Sequence, residues 1–78
     1  MQEFITWLKT DKAMSERAAH DVCSRLKRVY KLLDVEEVSP NSIEHLNGIS
    51  EFTVLSMFIK SQLKRAVHLK LEYQTKSI

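Results

Sequence analysis

The chain has 78 residues, a formal net charge of +2 and 44% apolar residues. A chain of this length forms one domain with a small core, and its apolar content is typical of a globular protein rather than a disordered one. One Gly and one Pro leave few turn signals, which favours a few long helices over many short strands. No apolar run approaches the roughly 18–20 residues that span a bilayer, and the N-terminus is not typical of a signal peptide.

The single cysteine, Cys23, cannot form an internal disulfide, which is typical of proteins of the reducing cytoplasm. It lies on an apolar stripe and is expected to be a buried, inert thiol. His20, His45 and His68 are too scattered to complete a zinc site with it. Because no Gly-rich phosphate loop and no catalytic side-chain arrangement is recognisable, we expect no enzymatic activity, metal, cofactor or small-molecule ligand.

The first predicted helix covers about residues 2–12. It carries Phe4, Trp7 and Leu8, together with Met1, on one face. Trp7 is interpreted as a core anchor because apolar residues flank it at helical spacing, and a base-stacking platform is the alternative.

The second predicted helix, residues 16–33, has the clearest pattern. Ser15 is expected to be its N-cap, and Glu16 in the first turn suits the helix dipole. One face, an arc of roughly 120°, is apolar and holds Ala19, Val22, Cys23, Leu26, Val29, Tyr30 and Leu33. The opposite face is basic and holds Arg17, Ser24, Arg28 and Lys31, with His20 and Lys27 beside them.

Between the two long helical patterns the periodicity breaks. Glu36 and Glu37 belong to a connector that is interpreted as solvated. A short helix is predicted over residues 40–47, with Pro40 at its first position. Gly48 is expected to end it, with the freedom to adopt a positive φ.

The last helical pattern covers about residues 51–74, and Ser50 can cap it. Its inward face holds Phe52, Leu55, Ile59, Leu63, Ala66 and Val67, with Leu69 and Tyr73 at the margin. Four further apolar residues do not fit this stripe, namely Val54, Met57, Phe58 and Leu71. Either the helix is buried on more than one side, or it breaks at Ser56, which then caps a new helix; the break is favoured. Residues 75–78 are expected to fray.

The charges are unevenly distributed along the chain. Residues 9–31 carry a net charge of +4, residues 34–51 carry −5, and residues 52–78 carry +4. Solvated helix faces are the ordinary explanation of such runs. The alternative is a polyanion-binding surface with an acidic rim.

The two long helices share a short phrase. Residues 24–29 read SRLKRV and residues 61–66 read SQLKRA. In both, the Leu belongs to the buried stripe and the Lys-Arg pair lies off it. Chance is the alternative explanation in a chain rich in Lys, Arg and Leu. If the match is not due to chance, it places basic groups on two helices, and these groups together can neutralise several phosphates.

Eight basic residues are the candidate nucleic-acid contacts, and solubility is their alternative role. In order of expected contribution they are Arg28, Lys31, Lys60, Lys64 and Arg65, then Arg17 and Lys27, with Arg25 as the remaining member. Whether the basic faces of the two helices lie side by side depends on the angle at which the helices cross.

The order of these elements resembles the N-terminal core-binding (SAM-like) domain of tyrosine recombinases and phage integrases. The resemblance covers nearly the whole chain and is carried by loose motifs: Phe4–Leu8, Ser15 through Leu26–Arg28, a short helix around residues 43–46, and Ser56 followed by Ser61–Arg65. It implies an all-α bundle of four helices, or five if the last divides at Ser56. It also implies a role in DNA recombination, with duplex DNA bound by the second and last helices.

The chain departs from that family at three positions. Ala18, Val22 and Ile59 stand where the family often has Thr, Tyr and Thr respectively. The Arg, Lys, His and Tyr set of the family's catalytic domain is missing, so no recombinase chemistry is expected. A fragment of a recombinase and a stand-alone relative are both compatible with the sequence.

The leading expectation is a DNA-binding module in which phosphate contacts dominate and sequence readout is weak. The alternative is a helical protein–protein interaction domain that self-associates. It would use Val54, Met57, Phe58 and Leu71 if these side chains are exposed together. Burial of the four in a core packed on two sides is the outcome we favour.

Overall fold

In a computed structural model of the chain, which describes residues 2–76, five helices and no strand are present. They are α1 (Gln2–Thr10), α2 (Glu16–Leu33), α3 (Ser42–Asn47), α4 (Ser50–Thr53) and α5 (Met57–Lys76). The predicted all-α bundle is confirmed, and the last predicted helix divides at Ser56. The largest helix–helix contact joins α2 to α5, and α1 packs mainly on α2.

One core receives side chains from all five helices. The largest fully buried side chains are Phe4 and Leu8 of α1, Leu26 and Val29 of α2, Leu46 of α3, Phe52 of α4, and Leu63 and Val67 of α5. Trp7 is buried and packs with Phe4 and Tyr73, with ring centroids 6.1 and 5.5 Å away, so its role as a core anchor is confirmed. Leu69, predicted at the margin, is buried.

Serine side chains start both long helices, as predicted. Ser15 Oγ accepts a hydrogen bond from Ala18 N at 3.1 Å, and Ser56 Oγ accepts one from Ile59 N at 3.2 Å. Each bond satisfies a backbone donor that the first turn of a helix leaves without an intrahelical partner. The two caps therefore fix where α2 and α5 begin.

The Ser15→Ala variant should lose about 1 kcal/mol of unfolding free energy, because the hydrogen bond to Ala18 N is lost. Urea denaturation followed by far-UV circular dichroism measures the change. Ser61→Ala is the matched control, since Ser61 is exposed in the interior of α5 and should tolerate Ala. Equal losses in the two variants would contradict the capping role.

The ends of the first and last helices differ from the prediction. α1 ends at Thr10, two residues earlier than predicted, and Ala13 in the loop that follows takes a left-handed φ of 52°. α5 runs past Thr75, which was expected to fray. The expectations for Met1 and for residues 77–78 lie outside the described residues.

The start of α3 is corrected as well. Pro40 precedes the helix, because a turn closes first: Ser42 N donates to Ser39 O at 3.0 Å, and Ser39 N donates to Ser42 Oγ at 2.9 Å. Gly48 ends α3 as predicted, but with a φ of −95° rather than a positive value. Ser50 is the first residue of α4 and not a cap, because that helix starts one residue earlier than predicted.

The acidic connector is exposed, as expected, and Glu37 also ties it to α2 and α5. Glu37 accepts a hydrogen bond from Tyr30 Oη at 2.6 Å and another from Val38 N at 3.0 Å. A third contact joins Glu37 to Lys70 Nζ at 3.4 Å, and the Lys70 side chain is only 11% exposed. Its ammonium lies 5.2 Å from the centroid of the Phe4 ring. This cluster fastens the connector to α2 and α5.

Burial alone would raise the pKa of Glu37, but the hydrogen bonds from Tyr30 and Val38 and the charge of Lys70 outweigh it. The pKa is held below its ordinary value of 4.5. Because the folded-state pKa is the lower one, Glu37 contributes stability that is present above pH 4.5 and is lost as the pH falls through the folded-state pKa.

The Glu37→Gln variant should therefore be less stable than the wild type by about 1 kcal/mol at neutral pH. The difference should shrink at acidic pH, where Glu37 is protonated in both the folded and unfolded states. Urea denaturation at several pH values measures it, with the exposed neighbour variant Glu36→Gln as the control. A penalty that stays constant down to pH 3 would contradict an ionised Glu37 in this cluster.

Candidate nucleic-acid interface

The contact between α2 and α5 leaves two adjoining clefts at the surface. The first, of about 150 Å³, is lined by Asp21 and Arg25 of α2 and by Gln62 and Arg65 of α5, among others. Arg25 and Gln62 also line the second, so the two clefts are continuous. We call them together the α2–α5 groove.

The second cleft has a volume of about 300 Å³. Arg25 and Arg28 line it from α2, and Phe58, Ile59 and Gln62 line it from α5. From the first cleft to the second the residue numbers rise along α2 and fall along α5. The two helices therefore cross with opposite polarity.

The matched phrases at residues 24–29 and 61–66 meet across this groove. Their leucines, Leu26 and Leu63, are both buried, as predicted. The second and fifth residues of each phrase line the groove, and these are Arg25 and Arg28 on α2 and Gln62 and Arg65 on α5. Because the helices have opposite polarity, Arg25 and Gln62 meet where the two clefts join, while Arg28 lines only the second cleft and Arg65 lines only the first.

The lysines of the two phrases lie off the groove. Arg25 precedes the buried Leu26 by one residue and Lys27 follows it by one, so their directions differ by about 200° around the helix. The groove lies on the Arg25 side, which leaves Lys27 and Lys31 on the other flank of α2.

The corresponding flank of α5 carries the other predicted lysines. Lys64 Nζ lies 6.0 Å from the centroid of the Phe52 ring, so this side chain points towards α4. Lys60 lies one turn before Lys64 on the same flank. The structure thus places Arg25, Arg28 and Arg65 along one groove and leaves the lysines at its sides.

The candidate cations form no intramolecular ion pair within residues 2–76. In the described part of the chain the three ion pairs join Lys9 to Glu16, Lys12 to Glu72 and Lys70 to Glu37. None of the eight candidates takes part in these pairs, including Arg17, which is exposed in the first turn of α2. Their charges are available to an external anion.

The two clefts differ in charge at one equivalent position. Asp21 precedes Arg25 by four residues in the first cleft, and Phe58 precedes Gln62 by four residues in the second. An aromatic ring therefore replaces a carboxylate. The second cleft has two arginines and no carboxylate among its lining residues, which makes it the more favourable site for an anion.

Three large apolar side chains are exposed where α4 meets α5. Val54 and Met57 are each 79% exposed, and Phe58 is 70% exposed. We call them the apolar turn. The favoured expectation of a core packed on two sides is wrong for these residues, because the chain breaks at Ser56 and turns them outward. It is correct for Leu71, which is half-buried against the core.

Cys23 is buried as predicted, and burial raises the pKa of its thiol, although the positive charges of Lys27 and Lys70 oppose the shift. No group of three His, Cys, Asp or Glu side chains within residues 2–76 is arranged to hold a metal ion. Over the same range, every helix is too short or too polar to cross a membrane.

Sequence reasoning gave little weight to some groove residues. Arg25 was the unranked candidate, and it lines both clefts. Gln62 is uncharged, so a search for basic residues passes over it. The signal that finds both is their place in the matched phrases, one residue before Leu26 and Leu63 respectively. Phe58 was expected only as a possible contact for a second copy of the chain, and its place in the groove was not predicted.

The chain was compared with protein-family models, curated proteins and solved structures, and no match was found in any of the three. The resemblance to the integrase core-binding domain is therefore a prediction that rests on the motifs of this sequence. The candidate site rests on its own geometry and charge.

Proposed function

We propose that this chain is a duplex DNA-binding module of the integrase core-binding kind, which contacts the phosphate backbone through the α2–α5 groove. The second cleft carries the proposal, because Arg25 and Arg28 line it, no carboxylate is among its lining residues, and neither arginine takes part in the ion pairs found within residues 2–76. A guanidinium presents its donors in a planar fork that matches phosphate oxygens.

Arg65 extends this contact along the first cleft, where Asp21 weakens it. The lysines on the flanks lie outside the groove, and they add a long-range attraction to a polyanion. Phosphate contacts carry no base information, so sequence readout is weak. Gln62, at the junction of the two clefts, is the side chain best placed to hydrogen-bond a base edge.

Titration of a fluorescent DNA duplex at two salt concentrations tests the proposal. Affinity should fall steeply between about 50 and 200 mM salt, because phosphate neutralisation releases counterions. Two duplexes of unrelated sequence should bind with similar affinity. Failure to bind either duplex at the lower salt concentration would contradict the proposal.

A second candidate, self-association, is supported by the exposure of the apolar turn. It places this chain among protein–protein interaction domains with no nucleic-acid role. Light scattering over a range of concentrations separates the two candidates. A dimer without DNA affinity would favour self-association, and a monomer at all concentrations would remove its main support.

A further inference from the structure

The apolar turn lies at the edge of the second cleft. Phe58 lines this cleft beside Arg25 and Arg28, and Met57 immediately precedes it. Both apolar side chains belong to the first turn of α5 and are more than two thirds exposed. Large apolar groups are thus presented to solvent next to two guanidinium groups that are not used elsewhere in the fold.

The backbone that presents these side chains is fixed on both sides. Phe52, in α4, is fully buried in the core, and the Ser56 cap begins α5. Leu63, one and a half turns beyond Phe58 on α5, is also buried. Phe58 therefore projects into solvent from a turn that lies between the buried Phe52 and the capped start of α5.

We infer that Phe58, supported by Met57, inserts between base pairs of the duplex that the second cleft holds, and bends that duplex. The inference rests on the proposed DNA-binding function. Proteins that bend DNA through the minor groove insert side chains such as Phe and Met between base steps while cations hold the adjacent phosphates. The second cleft supplies both parts, an exposed wedge and two arginines beside it.

Charge favours DNA over a second copy of this chain at the apolar turn. Phe58 shares its cleft with Arg25 and Arg28, so a twofold contact through Phe58 would bring four arginines together. Like charges in a desolvated contact repel each other strongly. A polyanion removes that repulsion, because its phosphates neutralise the arginines while the wedge is buried.

Insertion makes affinity depend on how easily the duplex deforms. Pyrimidine–purine steps such as TA unstack readily, and a mismatch lowers the cost further. A duplex with a central mismatch should therefore bind about tenfold more tightly than its fully paired counterpart. This preference is for shape and does not require hydrogen bonds to particular bases.

Resonance energy transfer between dyes at the two ends of a short duplex with a central TA step tests the inference. Wild-type protein should shorten the end-to-end distance on binding. Phe58→Ala should bind without shortening it and should lose about tenfold in affinity, as expected when one aromatic–base contact is removed. Val35→Ala is the matched control, because Val35 is an apolar residue 40% exposed on the connector after α2, outside the groove.

Each outcome has a separate meaning. If the wild-type protein does not bind at low salt, the proposed function and the insertion both fail. Salt-dependent binding without shortening, or shortening that persists in Phe58→Ala, overturns the insertion alone. A dimer that Phe58→Ala dissociates while DNA binding is unchanged also overturns it and assigns the apolar turn to self-association.

Discussion

The Phe52→Ala variant should lose about 3–5 kcal/mol of unfolding free energy, whereas Phe58→Ala should be as stable as the wild type. The two phenylalanines are six residues apart, yet Phe52 is fully buried and Phe58 is 70% exposed. Truncation of a buried Phe costs about 3–5 kcal/mol, from the lost burial and the cavity left behind. A domain of this size has a total stability of roughly 4–12 kcal/mol, so the loss is a large part of it.

Urea denaturation of the two variants measures this contrast directly, since the substitution is the same in both. Phe58→Ala should change the free energy of unfolding by less than about 0.5 kcal/mol, as is usual for an exposed position. A loss in Phe58→Ala as large as that in Phe52→Ala would mean that Phe58 is buried. The apolar turn would then not be exposed, and Phe58 could not insert between base pairs.

Charge reversal at Arg25 and Arg28 together should weaken duplex DNA binding by about 100-fold near 0.1 M salt. The double substitution to Glu removes two phosphate contacts and adds two repulsive charges within the second cleft. Charge reversal at Lys27 and Lys31 should lower the affinity for duplex DNA by about tenfold or less, because it weakens only the long-range attraction of the protein's positive charge. Both pairs lie on α2 and change the net charge by the same amount.

Fluorescence anisotropy at one fixed ionic strength compares these two double variants, with circular dichroism to show that both fold. Equal losses would show that DNA responds to the overall charge of α2 and not to the groove. A larger loss in the lysine pair would place the contact on the opposite flank of α2.

The long helices could be predicted from the sequence because their signals are local. The two ends of α2 follow from the cap at Ser15 and from the loss of apolar spacing after Leu33. The predicted bounds of this helix agree with the structure. Ser56 likewise marks the start of α5. The turn before Ser42 and the left-handed Ala13 were not predictable, because they depend on hydrogen bonds and backbone angles that leave no periodic pattern.

The candidate site could be predicted only in part. Periodicity shows that Arg25 and Lys27 both flank the buried Leu26, and it gives no reason to prefer one over the other. Arg25 lines the groove and Lys27 does not because of the side of α2 on which α5 packs, and this is a property of the tertiary fold. The role of Lys70 was missed for the same reason, since its partner Glu37 is distant in sequence.

The most direct test of the α2–α5 groove is the slope of log Kd against log salt concentration, measured for the wild type and for Arg25→Gln with Arg28→Gln. Each phosphate contact contributes about 0.9 to this slope, so the double variant should show a slope smaller in magnitude by about two. The neutral substitution leaves the other candidate cations in place. An unchanged slope would show that neither arginine contacts a phosphate and would contradict the proposed interface.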